Sequence, residues 1–127
     1  PQMACEFESR PGHQKGIIVS SRVKIVVTVP VADADRVREA LGKSGAGQQG
    51  NYSFCSYSVV GKGRFLPTEG AKPAIGKVGI PETVEEERIE VTCNRESALP
   101  VITAMKAVHP YEEVAYDVYV LLDQDDL

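Results

Sequence analysis

A short run of titratable side chains stands near the carboxyl end of the sequence: His109, Pro110, Tyr111, Glu112 and Glu113. An imidazole beside two carboxylates could ligate a divalent metal or transfer protons. In an extended segment Glu112 and Glu113 point to opposite sides, so they cannot easily serve the same metal ion. The alternative is structural, with His109 at a helix C-terminus, where a cation is favoured, and paired with a glutamate.

A metal site here would use His109, Glu112 and Glu113. The only other histidine is His13, which lies in the irregular first 22 residues, so a multi-histidine centre is not expected. Cys55 or Cys93 could add a softer ligand for copper. The sequence does not identify the metal.

A second candidate site is basic and lies between residues 61 and 81. The segment contains one acidic residue, Glu69. Its cationic residues are Lys62, Arg64, Lys72 and Lys77. Glycines at positions 61, 63, 70, 76 and 79 allow backbone N–H groups to approach a ligand. Phosphate or carboxylate recognition needs this combination of basic side chains and exposed amides. The alternative is a hairpin with solvated lysines.

Residues 45–50 match the letters of the dinucleotide fingerprint G-x-G-x-x-G. That fingerprint requires a strand before it and a helix after it, so that phosphate meets a helix N-terminus. Here a helix is predicted before the glycines and a strand after them, so we interpret the segment as a tight connection. The sequence contains no G-x-S-x-G, no P-loop and no Ser/His/Asp order, and we expect a binding protein rather than an enzyme.

Length and composition set the outer limits. The 127 residues, 43% of them apolar, suit one domain with a real core. A net charge of −4 without a basic block gives no electrostatic support for general nucleic-acid binding. No apolar run approaches the length of a membrane span. The three scattered cysteines, Cys5, Cys55 and Cys93, fit reduced thiols, and we expect a cytoplasmic protein.

Hydrophobic periodicity predicts the elements that position these residues. The predicted strands span residues 23–30, 52–60, 84–93 and 114–122, and the predicted helices span residues 34–43 and 96–108. The buried face of the second helix is expected to comprise Leu99, Ile102, Met105, Ala107 and Val108. Residues 61–81 form a long excursion between the second and third strands. Residues 1–22 are expected to be an extension or leader, 23–122 the domain, and 123–127 an acidic tail.

The order β-α-β-β-α-β predicts an α+β, ferredoxin-like fold, with two helices on one face of an antiparallel four-stranded sheet. The helix-free face of the sheet needs cover. Candidates to lie there are Tyr52, Phe54, Tyr116 and Tyr119. An exposed aromatic face of this kind favours association between subunits.

Several separate motifs follow the order of one family: Gly45-Ala-Gly47, Gly50-Asn-Tyr52, Cys55-Ser-Tyr57, Gly61-x-Gly63-x-Phe65-x-Pro67, Gly70-Ala-x-Pro73-x-Ile75-Gly76, Val84-Glu-Glu-x-Arg88-Ile-Glu90 and Ala107-x-His109-Pro-Tyr-Glu-Glu113-x-Ala115-Tyr116-Asp117. Over residues 24–122 the chain resembles the domain inserted in bacterial NIF-three-like proteins, also called YqfO-like proteins or GTP cyclohydrolase I type 2 homologues. Stand-alone versions of that domain occur, and the chain is expected to be one.

The resemblance implies a fold like those of PII signalling proteins and CutA divalent-ion-tolerance proteins. It also implies a homotrimer with ligand clefts between subunits. The larger family carries a histidine-rich dinuclear metal core that this sequence lacks, so no enzymatic activity is implied. We expect a small trimeric binding or regulatory module whose partner is a small anionic ligand or another protein, and the alternative is a CutA-like divalent-metal-binding protein.

In PII proteins a long ligand-responsive loop occupies the place of the excursion between the second and third strands. A trimer would bring this loop near the run from His109 to Glu113. The predicted site for an anionic small molecule, such as a nucleotide, comprises Lys62, Arg64, Lys72, Lys77, His109 and Tyr111.

Overall fold

The computed structural model describes residues 21–127. Within them the helices and strands are β1 (Arg22–Pro30), α1 (Ala34–Lys43), β2 (Tyr57–Phe65), β3 (Glu82–Asn94), α2 (Ala98–Val108) and β4 (Tyr116–Leu121). Short 3₁₀ turns precede both helices and follow β4. The expected leader, with His13 and Cys5, falls outside the described residues except for its last two, and Arg22 already belongs to β1. None of the helices described is long and apolar enough to cross a membrane.

The four strands form one antiparallel sheet in the order β2-β3-β1-β4. This confirms the predicted ferredoxin-like α+β fold. Alternate residues of β1, from Val23 to Val29, are buried beneath the helices. Val37 and Leu41 of α1 and Val101 and Met105 of α2 join them in one hydrophobic core. The opposite face of the sheet, here called the open face, carries no helix.

The buried side of α2 differs from the prediction. Leu99 is 75% exposed, whereas Val101 is fully buried beside Ile102 and Met105. The helix begins only at Ala98, after a 3₁₀ turn. Leu99 therefore lies in the first turn and does not point toward the sheet.

β2 begins at Tyr57 rather than at residue 52, and it continues to Phe65. The excursion is therefore confined to residues 66–81, here called the β2–β3 loop. The prediction failed because Phe54 has a left-handed backbone with φ of 59°. Its ring packs so closely over Gly42 of α1 that a Cβ there would lie 2.1 Å from ring carbon Cδ2. This contact keeps the segment before Tyr57 out of the sheet.

The aromatic cover predicted for the open face is only partly correct. Tyr119 lies opposite Lys24 and faces outward with it. Tyr116 instead lies on the helix side, where it packs against the core and Lys106 Nζ sits 4.8 Å from its ring centre. Tyr52 and Phe54 precede the sheet, and Tyr57 and Val59 of β2 take their place on the open face.

Candidate functional site

A cleft of about 820 Å³ opens beside the open face. Its walls come from β2, the β2–β3 loop, β3 and the segment 111–115. Much of its surface is apolar, contributed by Val59, Val60, Phe65, Leu66, Pro67 and Ile75. The cleft therefore joins the two regions that the sequence marked as candidate sites.

His109 clamps the segment after α2 to the sheet. Its Nε2 lies 2.8 Å from the carbonyl oxygen of Thr28, and its Nδ1 lies 3.1 Å from the amide nitrogen of Tyr111. Because a carbonyl only accepts and an amide N–H only donates, Nε2 carries the proton and Nδ1 accepts. The imidazole is 8% exposed and does not line the cleft. In this structure it serves as a structural clamp.

Tyr111, placed by that clamp, closes one side of the cleft. Its hydroxyl donates to Oε2 of Glu86 at 2.8 Å, and its ring meets Phe65 edge-on with ring centres 5.8 Å apart. Burial, followed by the hydrogen bond and the negative charge of Glu86, raises the pKa of the Tyr111 phenol. The phenol therefore remains a hydrogen-bond donor at neutral pH.

Glu86 lies at the floor of the cleft and is 8% exposed. It has room because Gly63, its diagonal neighbour on β2, carries no side chain. A Cβ at Gly63 would fall 2.0 Å from Oε1 of Glu86. A glycine inside a strand often marks such a close approach.

Three cations line the cleft: Lys62, Arg64 and Arg88. Lys62 pairs with Glu85 at 3.6 Å, and Arg88 pairs with Glu90 at 3.1 Å. Arg64 has no ion-pair partner among residues 21–127. The guanidinium of Arg64 is thus the cleft cation most available to an anionic ligand.

The loop and the segment after α2 are tied together directly. The backbone N–H of Lys72 donates to Oε1 of Glu112 at 2.6 Å. The side chains of Lys72 and Lys77 are not part of the cleft lining, whereas Glu112 and Glu113 are. Of the six residues predicted to bind a ligand, the structure brings Lys62, Arg64 and Tyr111 together in the cleft.

The metal alternative meets a different geometry. Both ring nitrogens of His109 are engaged, and Glu112 accepts from the loop. Within the described part of the chain, no group of three or more His, Cys, Asp or Glu residues could hold a metal ion. Cys93 is buried in the core, where burial raises its thiol pKa, and neither it nor Cys55 lines the cleft.

Glu86 is the site residue that the sequence did not reveal. Strand alternation places it on the outward face with Arg88 and Glu90, which predicts a solvated carboxylate. Its burial depends on Tyr111, which lies 25 positions further along the chain, and on the missing side chain of Gly63. Gly63 itself was the available signal, since it interrupts β2.

No protein-family model matches the chain. The chain is 48% identical over 106 residues to the GTP cyclohydrolase 1 type 2 homologue of Halalkalibacterium halodurans, covering 84% of this chain and 28% of that protein. It is 50% identical over 96 residues to the Bacillus subtilis homologue, covering 76% of this chain and 26% of that protein.

Solved structures agree with these relatives. A Bacillus cereus protein related to NIF3 matches with a TM-score of 0.72 at 48% identity, over 84% of this chain and 27% of that one. CutA from Archaeoglobus fulgidus gives 0.59 at 20% identity, over 80% and 85% of the two chains. Bacillus subtilis GlnK gives 0.54 at 16% identity, over 80% and 86%. The last two show the fold alone. By sequence the chain is therefore homologous to a segment of the NIF3-related GTP cyclohydrolase 1 type 2 homologues, of whose length it spans about a quarter.

Proposed function

We propose that the chain is a small-molecule-binding module with a regulatory role, and that the cleft takes an anionic ligand such as a nucleotide. The observation that carries this proposal is the cleft itself. Its volume of about 820 Å³ lies within the range of small-molecule sites, and its apolar walls stand beside Lys62 and Arg64. The apolar walls suit the body of a ligand, and the cations suit a phosphate or carboxylate.

The β2–β3 loop gives the proposed site a means of signalling. It forms one wall of the cleft, and the Lys72 amide fastens it to Glu112. A ligand that contacts the loop favours one of its conformations by the difference in affinity between them. A partner protein that reads the loop then senses occupancy.

The test is calorimetric titration of wild type, Arg64→Ala and Lys72→Ala with nucleotides. Loss of the Arg64 contact is expected to weaken binding about 10- to 100-fold, as for other charge-assisted contacts. Lys72→Ala should have a smaller effect, because that side chain does not line the cleft. Lys43→Ala, on α1, is the matched control and should bind as wild type. The site assignment is wrong if wild type binds no nucleotide or if Arg64→Ala and Lys72→Ala both bind as wild type does.

We also propose that the chain assembles as a homotrimer through the open face. Support comes from the family resemblance and from the exposed Tyr57, Val59 and Tyr119 on this face. Light scattering at micromolar concentration should give three times the protomer mass. A monomer at every concentration would exclude the trimer.

The proposed role involves no catalytic turnover, because the sequence offers no nucleophile–base pair. Nucleotide hydrolysis that disappears in His109→Ala would overturn this proposal.

The divalent-metal alternative, with His109, Glu112 and Glu113, would require the imidazole to give up a hydrogen bond. Zinc and copper calorimetry separates the two, since the alternative needs binding tighter than the millimolar range.

A further inference from the structure

Only one of the two carboxylate oxygens of Glu86 has a hydrogen-bond partner in the described part of the chain. Oε2 accepts from the Tyr111 hydroxyl, but Oε1 has no hydrogen-bond donor or cation among residues 21–127. Glu86 is nonetheless 8% exposed and lines the cleft. A buried carboxylate needs hydrogen-bond partners to offset its lost hydration, and it can accept about four hydrogen bonds.

The cations nearby do not supply the missing partner. Lys62 is paired with Glu85 and Arg88 with Glu90. Lys62 and Arg64 alternate with Gly63 along β2, so both side chains leave this edge strand on the side away from Glu86 and do not reach its Oε1. The free oxygen of Glu86 therefore faces a cleft in which no described residue donates to it.

We propose that Glu86 is a specificity-determining residue of the cleft, and that its Oε1 selects ligands whose ring presents an N–H donor to the floor. The inference rests on the proposed function, because it concerns the same cleft. It specifies a two-ended ligand, with a planar ring bearing N–H groups at Glu86 and an anionic group that extends past the edge strand β2 to Lys62 and Arg64. A nucleotide whose base carries an amino group has this arrangement.

Two further features fit such a ligand. Phe65 and Tyr111 line the cleft with aromatic rings, which can hold a planar base by stacking or edge contacts. Carboxylates accept hydrogen bonds from exocyclic amino groups of bases, so Glu86 discriminates between bases that differ only in that group. A base without an N–H donor would bury Glu86 more deeply and leave its Oε1 unpaired.

Adenosine monophosphate and purine riboside monophosphate differ by a single amino group and form a matched pair of probes. We expect wild type to bind the amino-bearing nucleotide about 10- to 100-fold more tightly in calorimetry, the effect of one hydrogen bond to a charged group. In Glu86→Gln the ratio should fall to about 1 or below, because the carboxamide can turn its own N–H groups toward the ligand. Glu39→Gln, a charge-matched change on α1, should keep the wild-type ratio.

Benzamidine tests the Glu86 contact independently of the anion site, because it has an aromatic ring and N–H donors but no anionic group. Its NMR titration should show binding to wild type and at least about tenfold weaker binding to Glu86→Gln. If nucleotides do not bind but benzamidine binds through Glu86, the anion site fails and the inference stands. The inference is overturned if wild type binds both nucleotides equally, if a folded Glu86→Gln keeps the ratio, or if neither probe class binds wild type. The wild-type ratio decides even if the variant does not fold.

Discussion

Glu86 and Glu90 both lie on β3 and both point to the open face, but they differ in exposure and in hydrogen-bond partners. Glu90 keeps 24% of its side chain exposed and accepts from Lys24 and Arg88, each at 3.1 Å. Glu86 is 8% exposed and is bound by one neutral hydroxyl. Glu90 thus belongs to a completed surface network, whereas Glu86 is a buried acceptor with spare capacity.

This difference comes from what covers each carboxylate. Glu90 is neutralised by two neighbouring cations, Lys24 and Arg88. Glu86 is covered by Tyr111, which arrives from after α2 and is held by His109. A carboxylate on the same strand face therefore becomes a surface ion pair or a site residue according to the segment that crosses it.

The largest effect is expected from removing His109, which holds Tyr111 over Glu86. His109→Ala removes the hydrogen bonds to Thr28 and Tyr111 and leaves a cavity, which should lower the free energy of unfolding by about 2–4 kcal/mol. Urea denaturation measures the change. Thr103→Ala, at an exposed position of α2, is the control. Equal stability of the two variants would show that the clamp does not hold the segment.

A smaller effect is expected from filling the space beside Glu86. Gly63→Ala places a methyl group 2.0 Å from Oε1, so the carboxylate must move away from Tyr111. We expect a loss of about 1–2 kcal/mol in unfolding free energy, as for other overpacked sites. Gly61→Ala on the same strand meets no atom within 4 Å and is the matched control. Indistinguishable melting of the two variants would contradict the close approach.

The smallest effect concerns Glu90. Hydrogen bonds from Lys24 and then Arg88 lower its pKa below the ordinary value of 4.5. A lowered folded-state pKa stabilises the protein above the unfolded value, and this stabilisation disappears as the pH falls through the folded value. Glu90→Gln should therefore cost less than about 1 kcal/mol at pH 7, and the difference should vanish in acid. A difference that persists at pH 2 would require another cause.

Much of the fold was predictable because local signals agree with tertiary packing. β1 and α1 match the prediction within one residue, since an alternating strand and an amphipathic helix each bury one face. The predicted bounds of β2 were wrong because residue types were misleading on both sides of its true start. Tyr52 and Phe54 have strand-forming side chains but lie outside the sheet, while Gly61 and Gly63 resemble loop residues but lie within it.

The candidate site was predictable in its parts and not in its centre. The basic pair Lys62 and Arg64 and the aromatic Tyr111 are visible as types and spacing, and the fold brings them together. Glu86 became a site residue through a contact with Tyr111, 25 positions away. Periodicity reports which face a side chain takes, but it does not report which distant segment crosses that face.

The packing of Phe54 over Gly42 constrains how this protein can diverge. Any side chain at position 42 would collide with the ring, and the left-handed backbone of Phe54 is costly for a bulky residue unless the contact is kept. A change at one position therefore affects the other, because the Phe54 ring requires glycine at position 42 and its packing on Gly42 offsets its unfavourable backbone. Positions 42 and 54 should thus covary during evolution, and their effects on stability should be non-additive.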